Sequence, residues 1–333
     1  MKLCFAKQPY CVEYTWQSTR WPGPRALLDA YVFRTQNISL AVHFKADTWV
    51  LGGRNRIEGG WLQTLEDLVP DDVDALYDTH TATPAEDVPW GEYDVVITTD
   101  PVVPETIVRA YPKTLWCYYE CAHNSQSAGR SRGAPQGGYD LYLDHYMRAG
   151  PTEIVKLPQA IQFPYTANAS ALRGLVECPT GRTGILLDSK VAEGPLRESG
   201  LPVVRSKKID MHFFHRTIAR RETTTPADWL RLMVQCKYYA LVRGPHIIGQ
   251  AAIEAAAMGL IVFGDGTYPR MLCHPSCMIV TGTGVDVAGR IRRVEGDPVL
   301  QHEILEYQTE KLAALFWNGP VAILEQALEM KRR

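Results

Sequence analysis

The residues best suited to binding chemistry lie around one predicted helix near position 250. A glycine-containing turn and an alanine-rich stretch separate two apolar runs, 238–242 and 260–264. This pattern predicts a strand, a turn, a helix that ends at Gly259, and a second strand. The free amides at the start of such a helix, around Gly249 and Gln250, would act with the positive end of its dipole to bind a diphosphate. Because glycine has no side chain, Gly249 would also let the ligand approach the backbone.

Glu254 is the only charged residue of this predicted helix, whose other residues are small, apolar or uncharged. It lies about one turn beyond the predicted phosphate end, where a carboxylate can accept hydrogen bonds from two ribose hydroxyls. The stretch therefore predicts a site for a nucleoside diphosphate. The same residues also fit an ordinary helix with a glycine just past its end.

This stretch resembles the sugar-nucleotide site of GT-B glycosyltransferases, where a Glu-Ala pair, a small residue, a glycine and an apolar strand close the donor pocket. The resemblance gives Glu254 the role of the ribose-binding glutamate. It places Gly249 before the helix and Gly259 before the next strand. It implies transfer of a sugar from a nucleoside diphosphate, with a UDP-sugar favoured, to an acceptor hydroxyl in a cleft between two domains.

The residues before the helix leave the stereochemistry of transfer open. Many retaining members of the superfamily carry a second glutamate eight positions before the ribose-binding one, and this chain has His246 there. Arg243, followed by Gly244, resembles a pair found in inverting enzymes that use UDP-sugars. Neither a retaining nor an inverting outcome is therefore favoured.

Further donor-side residues follow from the same resemblance. Lys190 follows an apolar run that resembles the first strand of the donor domain, although a solvated loop lysine fits this position equally well. With Arg243 and the helix amides, it would offset charge that builds on the leaving diphosphate. The residues after the second strand would hold the sugar hydroxyls or form a simple Asp-Gly turn. The predicted donor-binding residues are Lys190, Arg243, His246, Gly249, Gln250, Glu254, Asp265, Gly266 and Thr267.

The predicted acceptor side is less specific. An inverting transfer needs a general base near the acceptor hydroxyl. Asp100, Glu120 and His123 are the candidates, because each follows an expected strand. The acceptor is left open as a glycan, a small molecule or a modified nucleic acid. A basic run at 207–221 could contact nucleic-acid phosphates, or it could be a solvated face.

Three alternatives to a general glycosyltransferase remain at this stage. The first is a sugar-nucleotide epimerase or hydrolase of the same fold. The second is a glycosyltransferase that acts on modified DNA. The third is a nucleotide-binding or nucleic-acid-binding module without catalysis. The nucleotide-sugar is expected as a donor substrate, with no permanently bound cofactor and no required metal.

The elements that must position these residues predict an α/β protein. A chain of 333 residues is long for one core, and short apolar runs alternate with helical patterns throughout it. We predict two Rossmann-like, doubly wound domains with parallel sheets, as in GT-B enzymes. The predicted divisions are 1–150 for the acceptor side, 151–300 for the donor side, and 301–333 for a terminal helix packing across the first domain. The main predicted strands are 38–44, 93–99, 114–119, 139–143, 184–187, 203–205, 237–242 and 260–264.

Net charge, the opening residues and the cysteine content indicate where the protein is located and which partners it lacks a charge for. The net charge of −2 indicates no global basic field. The opening residues are too short and too soon interrupted to be a signal peptide, and no apolar run is long enough to span a bilayer, so we expect a cytoplasmic protein. Its eight cysteines are then expected as reduced thiols. Two pairs with C-x3-C spacing, Cys117/Cys121 and Cys273/Cys277, could hold zinc, but the tighter C-x2-C spacing is absent.

Overall fold

The protein consists of two compact units with separate sheets. The first comprises Met1–Thr166 and Gly319–Arg333, and the second comprises Ala167–Asn318. In the part of the chain that is described, the sheets have seven and four strands. The computed structural model describes residues 1–7, 39–40, 43–50, 54–57, 84–98, 103–120, 138–144, 160–174, 176–187, 196–197, 200–205, 226–242, 250–265, 267–279 and 284–333.

The sheet of the first unit reverses its strand order beside its first strand. Its spatial order is β3-β2-β1-β4-β5-β6-β7, and all neighbours are parallel except β2 and β3. Helix α1, Glu105–Ala110, connects β4 to β5. The strands are β1 Leu3–Lys7, β2 Asp47–Val50, β3 Arg54–Ile57, β4 Val95–Thr98, β5 Leu115–Glu120, β6 Leu141–Asp144 and β7 Ala160–Gln162. The reversal between β1 and β4 is the doubly wound arrangement in which ligands bind beyond the carboxyl ends of the strands.

Aromatic residues dominate the core of the first unit. The rings of Trp90 and Trp116 lie 5.4 Å apart between centroids, and both side chains are fully buried. Tyr139 packs edge-on against Trp116 and Tyr118. All four residues of β4 are buried, as is usual for a parallel strand that is covered on both faces.

The sheet of the second unit has a second reversal of strand order. Its spatial order is β11-β10-β8-β9, and every neighbouring pair is parallel. The chain therefore adds β9 on one side of β8 and then β10 and β11 on the other. The strands are β8 Ile185–Leu187, β9 Val203–Arg205, β10 Tyr238–Leu241 and β11 Ile261–Gly264. The α-helices of this unit are α2 Ala169–Arg173, α3 Pro226–Gln235, α4 Gln250–Ala257, α5 Thr267–Leu272, α6 Gly284–Glu295 and α7 Pro298–Ala313.

The chain enters and leaves the second unit at adjacent points. The backbone N–H of Ala167 donates to the carbonyl of Phe316 at 3.0 Å. Phe316 lies in a π-helical turn, Ala314–Asn318, that separates α7 from the last helix, α8 Gly319–Arg332.

Helix α8 is fixed to the first unit by its basic end. The Lys331 ammonium lies 2.5 Å from a carboxylate oxygen of Asp140, and Arg332 pairs with Asp94. These two aspartates directly precede β6 and β4. The contacts therefore lie at the amino ends of the strands, opposite to the edge where ligands bind in such sheets.

The observed divisions differ from the predicted ones at 150 and 301. The first unit extends to Thr166 because β7 pairs with β6 and completes the first sheet. Helix α7 lies in the second unit, where its Gln308 bonds to the backbone on either side of Ile261. Only Gly319–Arg333 of the predicted terminal segment lies in the first unit.

The predicted strand at 38–44 is wrong in the part that is described. Ser39, Leu40, His43 and Phe44 are helical, and the strand begins at Asp47. Leu40 is buried whereas His43 is exposed, which is the one-sided burial of a surface helix. A short apolar run does not distinguish the two structures. Among the described residues, no helix combines the length and apolarity needed to cross a membrane.

Candidate functional site

The candidate donor site is built on a strand, a helix and a strand in the second unit. β10 and β11 are parallel neighbours, with Tyr238 opposite Ile261, and α4 lies between them in sequence. Because the chain leaves β10 at its carboxyl end, α4 begins at that edge of the sheet. This order of elements confirms the local structure that the sequence predicted around position 250.

Glu254 is a buried carboxylate in an apolar helix. Only 3% of its surface is exposed, and its neighbours in sequence, Ile253 and Ala255, are also buried. A buried charge is stable only with polar partners, and this carboxylate is not left without one. Since the rest of α4 is uncharged, Glu254 is the charged group that this helix can offer to a polar ligand.

Asp265 is a buried acid at the carboxyl end of β11. It directly follows the last residue of β11 and is 7% exposed. The sequence left a sugar-binding role and a simple Asp-Gly turn open at this point, and α5 begins at Thr267, two residues later. The proposed sugar-binding acid is therefore a buried residue directly after β11.

The carboxyl end of α4 has a regular glycine cap. Gly259 has a φ of +81°, a conformation that favours glycine, and its N–H donates to Ala256 at 2.9 Å. The N–H of Leu260 donates to Ala255, also at 2.9 Å. These two bonds form a Schellman motif, which ends the helix and directs the chain into β11.

The outer edge of β11 is closed by side chains and by one further stretch of chain. Gln308 accepts from the N–H of Val262 and donates to the carbonyl of Leu260, both at 3.0 Å. The Cys273 thiol donates to the Val262 carbonyl at 3.1 Å. The N–H of Ile279 donates to Gly264 at 3.1 Å. The strand that leads to Asp265 is thus held on both sides.

Most of the predicted donor residues follow the strands at the reversal in this sheet. The reversal lies between β8 and β10, the position at which open α/β sheets bind ligands. Lys190 follows β8 in sequence, and Arg243, His246 and Gly249 follow β10. These four residues, together with Gly266 and the basic run at 207–221, lie outside the described residues. Gln250 and Thr267 begin helices α4 and α5, and their side chains are likewise outside the described part.

The acceptor-side candidates are only partly described. Glu120 is the last residue of β5, at the carboxyl edge of the first sheet, and its side chain lies outside the description. Asp100 comes two positions after β4, and His123 three positions after β5; both lie outside the described residues. Their catalytic roles stay predictions.

The described cysteines are free thiols, five of them buried. Burial raises the pKa of Cys277 to about 12 and that of Cys236 to about 11. Burial also raises the thiol pKa of Cys117 and Cys273, so these groups stay protonated at neutral pH. No cluster of three or more potential metal ligands occurs in the described ranges, which do not include Cys121.

Two arginines and one glutamine bind the backbone of α4 and β11, and no sequence pattern predicted these contacts. Arg173 and Arg182 donate to carbonyls at the end of α4, and Gln308 binds the edge of β11. Each lies more than 40 residues from its partner in sequence. No local motif marks them, so only the tertiary structure could have found them.

Comparison with known proteins gives structural likenesses alone. No protein-family model and no curated protein matches the chain. Sucrose-phosphate synthase from Thermosynechococcus elongatus is 13% identical over 100% of this chain and 98% of that one, with a TM-score of 0.48. T4 phage BGT, in complex with UDP and Mn²⁺, is 10% identical over 99% and 98%, with a TM-score of 0.42. An alpha,alpha-trehalose 6-phosphate synthase from Burkholderia multivorans is 9% identical over 99% and 98%, with a TM-score of 0.47.

The protein has a two-unit α/β fold. That statement rests on the strand orders and parallel registers of the two sheets, since TM-scores below 0.5 add no argument. The sequence therefore predicted the class of fold correctly.

Proposed function

We propose that this protein is a GT-B-like glycosyltransferase that takes a sugar from a nucleoside diphosphate, with a UDP-sugar favoured. The observation that carries the proposal is the buried Glu254 on α4, the helix that follows β10 beside the reversal of strand order. A buried acid in an otherwise apolar helix fits recognition of ribose hydroxyls, and the amino end of such a helix fits a diphosphate.

In the proposed reaction, the acceptor hydroxyl attacks the anomeric carbon of the donor sugar. The bond to the diphosphate oxygen breaks, and the nucleoside diphosphate leaves. Asp100, Glu120 or His123 would take the proton of the acceptor in an inverting transfer. Lys190, Arg243 and the first amides of α4 would stabilise the charge on the leaving diphosphate, which removes the need for a metal.

The sugar of the donor is assigned to the connection after β11. Asp265 is buried at the carboxyl end of that strand, where a carboxylate can accept hydrogen bonds from sugar hydroxyls. Gly266 and Thr267 would add a backbone N–H and a hydroxyl. His246 stands close to the start of α4 in sequence and is proposed to contact the donor there.

The decisive experiment is a binding screen with UDP, GDP, ADP and dTDP. We expect one of these to raise the melting temperature of the protein, because a ligand that binds only the folded state stabilises it. Calorimetric titration then gives its Kd. If none of the four binds, the proposed function is wrong.

Consumption of the donor separates the alternatives. Turnover of a UDP-sugar that requires an added acceptor supports transfer. Turnover without an acceptor indicates an epimerase or hydrolase. Tight binding of the diphosphate without turnover of any donor indicates a binding module, and donor turnover that requires hydroxylated DNA indicates action on modified DNA.

A further inference from the structure

All carbonyls at the carboxyl end of α4 are bound, and two of them are bound by arginines. Within the helix and its glycine cap, the carbonyls of Glu254, Ala255 and Ala256 accept from Met258, Leu260 and Gly259, each at 2.9 Å. The cap does not bind the next two carbonyls, those of Ala257 and Met258, which accept from arginine side chains instead. Arg173 Nε donates to Ala257 at 2.7 Å, and Arg182 Nη1 donates to Met258 at 2.6 Å.

The two arginines reach this end from outside α4. Arg173 is the last residue of α2, and Arg182 lies in the connection between α2 and β8. Both approach Gly259 closely: a Cβ atom at that position would lie 3.3 Å from Arg173 Nη2 and 3.5 Å from Arg182 Nη1. Gly259 therefore leaves the space in which the guanidinium groups reach the helix end.

The chemistry of α4 explains why it needs such an anchor. The helix has only eight residues, and four of its six buried residues are alanines. Small side chains interlock weakly, so packing alone opposes a shift along the helix axis less than larger side chains would. Hydrogen bonds from a cation to the terminal carbonyls are directional and also complement the negative end of the helix dipole.

We propose that Arg173 and Arg182 are positioning residues for the donor site, acting through α4 on Glu254. The proposal rests on the proposed function. Glu254 is three residues from Ala257, a distance of about 4.5 Å along the axis, so a shift of the anchored end moves the carboxylate with it. The amides at the other end of the same short helix would move by the same amount.

The test is the affinity of arginine variants for whichever of UDP, GDP, ADP and dTDP stabilises the wild type most. The double variant R173Q/R182Q removes both cations. We expect its Kd to rise about tenfold or more, which corresponds to about 1.4 kcal/mol. R182K keeps the charge and one donor, and we expect it to recover part of the affinity that R182Q loses.

Arg290 provides a matched control in the same unit. It also donates to a backbone carbonyl, that of Ser276 at 3.2 Å, and pairs with Asp286 at 2.9 Å. R290Q therefore removes a comparable link from arginine to the backbone away from α4. We expect its Kd to stay within about twofold of the wild type even where its melting temperature falls as far as that of the double variant.

Amide hydrogen exchange provides the readout of position. The proposal requires faster exchange in 254–260 of R173Q/R182Q than in the wild type, and no such change in R290Q. If the double variant does not fold, the single variants R173K and R182K are titrated instead, with about threefold weaker binding expected of each.

The outcomes separate this inference from the proposed function. If the wild type binds one diphosphate and R173Q/R182Q binds it equally well, the positioning role is wrong and the proposed function stands. If R290Q weakens binding as much as the double variant does, the effect is a general loss of stability and the positioning role is again wrong. If the wild type binds none of the four, both fail together.

Discussion

The side-chain oxygen of Gln308 on α7 lies 3.0 Å from the backbone nitrogen of Val262, and its amide nitrogen donates to the carbonyl of Leu260. Both ends of the amide thus bind β11, the edge strand of the second sheet, or the residue before it. The side chain is only 2% exposed. An edge strand otherwise presents unpaired backbone groups to other chains. The pair thus closes β11 and connects α7 to the strand that ends beside Asp265.

Substitution of Gln308 by alanine should destabilise the second unit strongly. It leaves the Val262 N–H and the Leu260 carbonyl buried without their partners, and we expect a loss of about 2 to 4 kcal/mol in the free energy of unfolding. Urea denaturation measures this loss. Q301A is the control, because Gln301 also donates to backbone carbonyls but at a more exposed site. An equal effect of the two substitutions would contradict the special role of Gln308.

Substitution of Glu254 by glutamine should weaken binding of the diphosphate without unfolding the protein. A hydrogen bond to a charged group contributes about 1.5 to 3 kcal/mol, so we expect Kd to rise about 10-fold to 100-fold. Calorimetric titration measures it. Glu295, which pairs with Lys237 at 3.0 Å on the surface, supplies the control variant E295Q. Unchanged affinity in E254Q would show that Glu254 does not contact the ribose.

Asp140 should contribute more to stability than its partner Lys331. Its carboxylate also accepts from the backbone N–H of the buried Trp116 at 2.7 Å. D140A leaves that N–H unpaired at a cost of about 1 to 3 kcal/mol, whereas K331A removes a partly exposed ion pair worth about 1 kcal/mol or less. Thermal unfolding of D140A, K331A and the surface control E105A tests this order. A greater loss in K331A than in D140A would reverse our assignment.

The described cysteines should differ sharply in reactivity. Cys178 is exposed, whereas Cys236 and Cys277 are buried with raised pKa values of about 11 and 12. Because the thiolate is the reactive form, brief treatment with iodoacetamide at pH 8 should label Cys178 and spare the other two. Mass spectrometry of peptides reports the sites. Unfolding in urea is the control, since all three should then react.

Stability should fall at alkaline pH. The pKa of the Cys277 thiol is raised from 9.0 to about 12 in the folded state, so the folded protein holds its proton where the unfolded chain releases it. This stabilisation is fully present below pH 9 and is lost as the pH rises from 9 towards 12. Over that range, each such thiol lowers the free energy of unfolding by about 1.4 kcal/mol per pH unit. Urea unfolding between pH 9 and 11 should therefore show a shallower decline in C277A, and identical slopes would refute the assignment.

The sequence predicted best the apolar runs of the second sheet. The runs at 203–205 and 260–264 became β9 and β11, and the glycine after α4 ended that helix as expected. At 260–264, the preceding helix and its terminal glycine favour a strand in this position. The residue types alone also marked Glu254 as unusual.

Other parts of the structure depend on contacts that are remote in sequence. β1 is an interior strand of the first sheet beside its strand reversal, yet its five residues predict no strand by themselves. β7 has three residues, too few for a periodic pattern. The side chains that bind the carboxyl end of α4 and the edge of β11 cannot be predicted locally, because each is remote in sequence from its partner; Gln308 and Val262, for example, are 46 residues apart.

The return of α8 to the first unit sets the order in which the protein can be completed during synthesis. Residues 319–333 leave the ribosome after the whole of Ala167–Asn318, so the acidic residues before β4 and β6 gain their basic partners last. All residues of the second unit belong to one continuous stretch, whose two ends are joined by the hydrogen bond from Ala167 to Phe316. This unit therefore does not need a later segment of the chain. The first unit is therefore the last to receive all of its residues, and the second unit is an insertion within its sequence.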